Sequence, residues 1–171
     1  HHPGHGEIPA VRFIPIAEES NLINQLGKRV LLEACRQNLA WQRMGLPQVV
    51  VAVNLSAVQL RQPELVSQVA EVLRVTGLDA RWLELEITES AFVRDTERII
   101  EVLQALRGLG IKLSVDDFGT GYSSLGYLKR LPFDRIKIDQ SFVRDLPDNG
   151  DDIAIVRAII GIAGSLQKEV I

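Results

Sequence analysis

The chain has 171 residues, of which 46% are hydrophobic and 24% charged, with a formal net charge of −3. That is enough apolar material for one packed domain. It is too little positive charge for a polynucleotide backbone to be the main partner. No apolar run reaches the roughly 18 residues of a membrane span, and the polar start, His1 to Gly6, lacks the apolar stretch of a secretory leader.

A long helix is expected from about Leu22 to Met44, with Ile23, Leu26, Val30, Ala34 and Trp41 at helical spacing and Gly45 at its stop. Cys35 is the only cysteine, so no internal disulfide exists. Its neighbours Ala34 and Leu31 place it on a packed helix face, which fits a reducing, cytoplasmic setting. Val49 to Leu55 is a near-continuous apolar run, the pattern of a strand buried on both faces. Pro63 can open a helix through Thr76 that Gly77 closes. Leu83 to Ile87 is a strand. Asp95 can cap a helix to Leu109, ended by Gly110. Ile111 to Val115 is a strand, and Ser124 to Leu131 a short helix stopped by Pro132. Arg135 to Ile138 is a strand, and Asp151 to Leu166 a helix with Ile155, Ile159 and Ile162 inward. Glu169 to Ile171 begins another strand. The histidines of the polar N-terminal segment are read as solvated, since nothing flanking fixes them.

Alternating strands and helices mean parallel strands with crossover helices. Two architectures compete, the open doubly wound sheet and the closed eight-fold barrel. A full barrel needs about 250 residues, so a barrel here is expected to be truncated.

The ends of the strands decide between them. Val53-Asn54-Leu55-Ser56 ends the first, Glu84 to Glu89 the second, Val115-Asp116-Asp117-Phe118-Gly119 the third and Lys137-Ile138-Asp139 the fourth. The carboxyl ends of parallel strands are where active sites lie. Asn, Glu and Asp offer oxygen, which suits magnesium or manganese better than zinc. Adjacent aspartates on a strand point to opposite faces. A turn at Asp117, eased by Gly119 and Gly121, would aim Asp116 and Asp117 at one site. A bound cation would relieve their like charge. In a flat sheet the first and fourth strands lie about 14 Å apart, whereas a barrel gathers all ends at one mouth. The expected fold is therefore an α/β, TIM-like (β/α) barrel, truncated at both ends.

Plainer roles compete at each position. Asn54 and Ser56 could cap the next helix, and Glu89 could also be a cap. Asp117 to Gly121 could be an ordinary glycine loop. Lys137 could be structural, or a Schiff-base lysine, although acidic neighbours would raise its pKa and work against the latter. A partnerless buried Glu86 would be costly, which favours function.

These same residues resemble the EAL family of bacterial cyclic di-GMP phosphodiesterases. The likeness is carried by Arg12-Phe13-Ile14-Pro15 with Ala17-Glu18, by Val53 to Ser56, by Leu85-Glu86-Ile87-Thr88-Glu89, by the nine residues Asp116 to Ser124, and by Lys137-Ile138-Asp139 with Ser141-Phe142-Val143. It covers essentially the whole chain, making residues 1–171 a partial EAL-type barrel domain. The resemblance implies hydrolysis of cyclic di-GMP to the linear dinucleotide by a two-metal mechanism, with two Mg2+ or Mn2+ ions. It implies Asn54, Glu86 and Asp116 as ligands of one metal, Asp116 as the bridge, and Asp117 as ligand of the second and close to substrate. Lys137 would orient the attacking water, and Glu89 would hold the loop after Asp117. The helix Ser124 to Leu131 would be a dimer contact. The resemblance also implies a Glu-Ala-Leu motif before His1 and a further glutamate after Ile171. The isolated piece would then be inactive, in a parent with sensor or diguanylate cyclase domains and possible membrane anchoring elsewhere. Two other classes remain, a catalytically inactive receptor or interaction module and a lysine-dependent lyase.

Overall fold

The computed structural model describes residues 4, 6–92, 96–121 and 125–171. Five parallel strands, β1 (Val51–Asn54), β2 (Leu83–Thr88), β3 (Lys112–Phe118), β4 (Arg135–Ile138) and β5 (Glu169–Val170), form one sheet in chain order. A doubly wound sheet reverses its strand order midway; this one does not, so every crossover returns on the same side.

The two faces of the sheet confirm the distinction. Leu83, Leu85 and Ile87 of β2, Leu113 and Val115 of β3 and Ile136 of β4 are buried in one apolar core. That core is shared with α2 (Ile23–Arg43), α4 (Leu65–Thr76), α5 (Thr96–Gly108) and α7 (Gly150–Ser165). The alternate residues on the opposite face are Glu84, Glu86, Ser114, Arg135 and Lys137, following the period of two along each strand. One helix-covered face and one polar inner face make this the wall of a TIM-like α/β barrel.

Several elements differ from the sequence expectation. The segment α1 (Ala10–Glu19) forms a helix with Pro15 inside it, where the proline hides the helical pattern because its ring removes a backbone donor. In α2 the buried stripe is Ile23, Leu31, Cys35 and Asn38, while Val30 and Trp41 are exposed. Asn38 is inside because its amide donates to the carbonyls of Val49 and Trp82, tying α2 to the strands. A one-turn helix, α3 (Ala57–Leu60), precedes α4, and α4 starts after Pro63, not at it. Strand β1 is shorter than the apolar run, and β3 extends through Phe118. Helix α6 spans only Leu125–Leu128, shorter than Ser124 to Leu131, and Ser124 lies outside the described residues, as does Asp95. Asn149 caps α7, accepting from Asp151 and Asp152. On α7 Ile159 is buried and Ile162 packs against the core, but Ile155, one turn nearer the helix start, is 37% exposed. Among the described residues no helix is long and apolar enough to cross a membrane.

Cys35 is fully buried in the core, and burial pushes its thiol up to about 11. A thiol reagent at pH 8 is therefore expected to label the native protein far more slowly than the denatured protein. Equal rates would show that α2 does not pack against the sheet.

Candidate metal centre at the carboxyl ends of the strands

At the end of β1, Ser56 caps α3 in a reciprocal pair: its hydroxyl accepts from Gln59 N, and Gln59 Oε1 accepts from Ser56 N. Asn54 takes no part in that cap. It stands level with Glu86 in the β1–β2 register, on the polar inner face.

Glu86 is buried, and Lys137 reaches it across β3, with Nζ 2.8 Å from Glu86 Oε1 and 3.0 Å from Asp116 Oδ1. Burial works against the charge on Lys137, but the hydrogen bonds and charges of Glu86 and Asp116 outweigh it and raise its pKa. The lysine therefore stays an ammonium at neutral pH, which is unsuited to the Schiff-base role.

The adjacent aspartates share one mouth because β3 bulges. Val115 pairs with Ile136 and Phe118 with Ile138, so three steps on β3 match two on β4. Asp117 absorbs the extra residue with φ +53°, in the left-handed region that Asp tolerates better than most. The slip sends Phe118 into the core at 6% exposure and leaves Asp117 at the surface. Asp117 has its pKa raised, first by partial burial, then by the charges of Asp116 and Asp139 and a hydrogen bond with Asp139. Asp139 is lowered instead, chiefly by its bonds to Ser141. Of that facing pair, Asp117 is the carboxyl that protonates more readily. The sequence places Asp139 at the end of its strand but gives it no task; only the bulge brings it against Asp117.

The loop after Asp117 is held from below. Glu89 is 4% exposed, and its Oε2 accepts from Gly119 N at 2.9 Å and from Gly121 N at 3.2 Å. Both glycines are needed sterically. Gly119 has φ +102°, and a Cβ there would lie 2.9 Å from the Phe142 ring. A Cβ on Gly121 would lie 2.9 Å from the Glu89 carboxyl carbon. Tyr122 to Ser124, the end of the nine-residue string, lie outside the described residues.

Among the described residues, no three acidic, histidine or cysteine side chains converge into a ready-made metal cage. The donor chemistry nevertheless fits a hard divalent cation. Asn54, Glu86, Asp116 and Asp117 offer only oxygen, the Asp116, Asp117 and Asp139 carboxyls are crowded, and the charge between Glu86 and Asp116 is met by the Lys137 ammonium. A cleft of about 270 Å³ opens on this cluster, lined by Asp116, Asp117, Lys137, Asp139, Gln140 and Ile171. A larger groove of about 590 Å³ runs beside Asn54, between the Val11, Ile14 and Pro15 side of α1 and the ends of β1 and β2 at Ser56, Thr88 and Ser90. Sequence reading gives no role to this wall, because α1 itself is not legible there.

A family model described as the EAL domain matches residues 1–171. The bifunctional diguanylate cyclase/cyclic di-GMP phosphodiesterase MucR of Pseudomonas aeruginosa is 44% identical over 170 residues, which is 99% of this chain and 25% of that protein. The oxygen sensor protein DosP of Escherichia coli is 42% identical over 171 residues, 21% of its length. The chain thus spans a quarter or less of these relatives. A solved structure titled PaMucR phosphodiesterase, c-di-GMP complex, superposes with a TM-score of 0.94 over 99% of this chain and 68% of that one. A match that runs from the first residue to the last, over a fold shared almost in full, means that this chain belongs to the EAL domain family.

Proposed function

We propose that this chain carries the catalytic strand ends of a phosphodiesterase that opens cyclic di-GMP to the linear dinucleotide. The observation that carries the reading is the convergence of Glu86, Asp116 and Lys137 within 3.0 Å contacts, beside Asp117 on its bulge. Support comes from the 44% identity to a protein solved as a phosphodiesterase with c-di-GMP.

EAL phosphodiesterases use divalent metals, and here Asn54, Glu86, Asp116 and Asp117 would hold two Mg2+ or Mn2+ ions, with Asp116 shared. When bound, such ions supply Lewis-acid charge for the phosphoryl oxygens and make water more acidic. The protein's own groups do the rest. Lys137, charged at neutral pH, is a hydrogen-bond donor to the attacking water and not its base. Glu89 fixes the backbone of Gly119 and Gly121, and so the direction of Asp117. The groove along α1 is large enough for a nucleobase and mostly apolar at Val11, Ile14 and Pro15, which suits stacking of a guanine. The region around α6 is the proposed dimer contact, and sensor or cyclase domains are proposed to share the parent chain.

Hydrolysis of cyclic di-GMP by the full-length gene product in Mn2+ is the test. Asp116→Asn is expected to lower kcat by about 100-fold or more, since it removes charge where the reaction needs it. Retained activity would overturn the ligand assignment, and binding without hydrolysis in the parent would favour the receptor role. Glu89→Ala is expected to cost about 10- to 100-fold through the loop, while Glu89→Gln, which keeps an acceptor oxygen, recovers part of it. Unchanged kinetics in Glu89→Ala would refute the loop role. Because β1 and β5 are the edges of an open sheet, the 171-residue polypeptide alone is expected to show at most a trace of turnover. Full activity with Mn2+ would disprove that.

A further inference from the structure

Below the metal centre the inner face carries a second pair of charges with the same offset. Arg135 Nη1 lies 2.6 Å from Glu84 Oε2, just as Lys137 Nζ lies 2.8 Å from Glu86 Oε1. Both pairs span β3. In the register, however, Arg135 is level with Ser114, and Ser114 is level with Glu86. The acid directly across from Arg135 is therefore Glu86, two strands or about 9.6 Å away. Ser114 lies between them and is too small to block the approach; its buried hydroxyl has no partner among the described residues. A glutamate and an arginine side chain together cover that span.

Arg135 nevertheless bonds two residues lower, to Glu84. That glutamate is 3% exposed, and Arg135 is held on its other edge by Glu169. The guanidinium cannot lose its charge, and it prefers carboxylate partners in a fixed fork. If Glu84 did not engage it, Glu86 would be the nearest buried acid on the same face.

We propose that Glu84 is a positioning residue for the metal centre: by engaging Arg135 it keeps the guanidinium off Glu86 and leaves that carboxylate available to a divalent cation. The inference rests on the reading of Glu86 as a metal ligand. It makes the two halves of one ion pair unequal. Removing the arginine breaks the pair but gives Glu86 no cation beyond Lys137, which already contacts it. Removing the glutamate breaks the same pair and frees a cation to take the ligand.

The test is Mn2+ affinity, read from the free-ion electron paramagnetic resonance signal on the full-length gene product, with thermal unfolding of each variant alongside. Glu84→Gln is expected to weaken Mn2+ binding by about tenfold or more, the usual scale for outer-shell partners. Arg135→Gln is expected to stay within about threefold of the parent on the same scale. The double variant E84Q/R135Q is expected to return close to the parent, even though it restores no ion pair. Equal losses in the two single variants, or a double variant as weak as Glu84→Gln, would overturn the proposal and reduce the pair to a structural strut. Should Glu84→Gln fail to fold, Arg135→Gln decides alone: unchanged affinity supports the proposal and a tenfold loss overturns it. Glu86→Gln is the control for the underlying reading. If it leaves Mn2+ binding intact, Glu86 is not a ligand and that reading is what fails. If it abolishes binding while Glu84→Gln does not alter it, only the proposal fails.

Discussion

Between Val115 and Phe118 strand β3 carries one more residue than β4 can match, and the geometry of the site follows from that slip. Without it, strict alternation would turn Asp117 toward the helices and Phe118 toward the polar face. With it, Phe118 packs into the core while both aspartates remain at the mouth. The bulge is sustained by apolar burial of Phe118 on one side. On the other, the two loop amides close onto the Glu89 carboxylate. A left-handed Asp117 is a locally strained choice, of the kind that persists where surrounding packing fixes it.

Charge is the second constraint. The strand ends carry Glu84, Glu86, Asp116, Asp117 and Asp139, with Arg135 paired to Glu84, Lys137 set between Glu86 and Asp116, and Arg144 acting on Asp139. The lower layer is nearly self-contained, since Arg135 answers Glu84. Breaking such a buried pair from one side costs about 3–5 kcal/mol, which makes this layer a firm floor. The upper layer is left short of positive charge: partial burial first, and then the charges of Asp116 and Asp139, raise the pKa of Asp117. Stability and function are thus divided by depth along the same strands. The residues deeper in the wall neutralise one another, and those at the rim leave a deficit that a cation can fill.

Much of this was legible in the residues themselves. Leu83 to Ile87 and Arg135 to Ile138, which alternate apolar and charged residues, are strands at nearly the expected bounds, because a strand covered by helices must be apolar on at least one face. The turn at Asp117 followed from two adjacent acids and two glycines. What was not legible depends on partners distant in the chain. Helix α1 is hidden by Pro15. The buried stripe of α2 passes through Asn38, a polar residue that is inside only because Val49 and Trp82 offer it carbonyls. The pairing of Arg135 with Glu84 rather than Glu86 spans 51 residues and depends on side-chain reach across a strand.

By itself, then, the sequence determined the parallel α/β wall, the set of oxygen-bearing strand ends and the glycine-containing turn beside them, since each is written in local pattern and residue type. The tertiary structure decided which acid answers which cation, that Asp139 faces Asp117, and that Glu89 lies under the glycine loop. Those choices depend on register and on the single extra residue in β3, and both are fixed only when neighbouring strands pair and Phe118 finds the core.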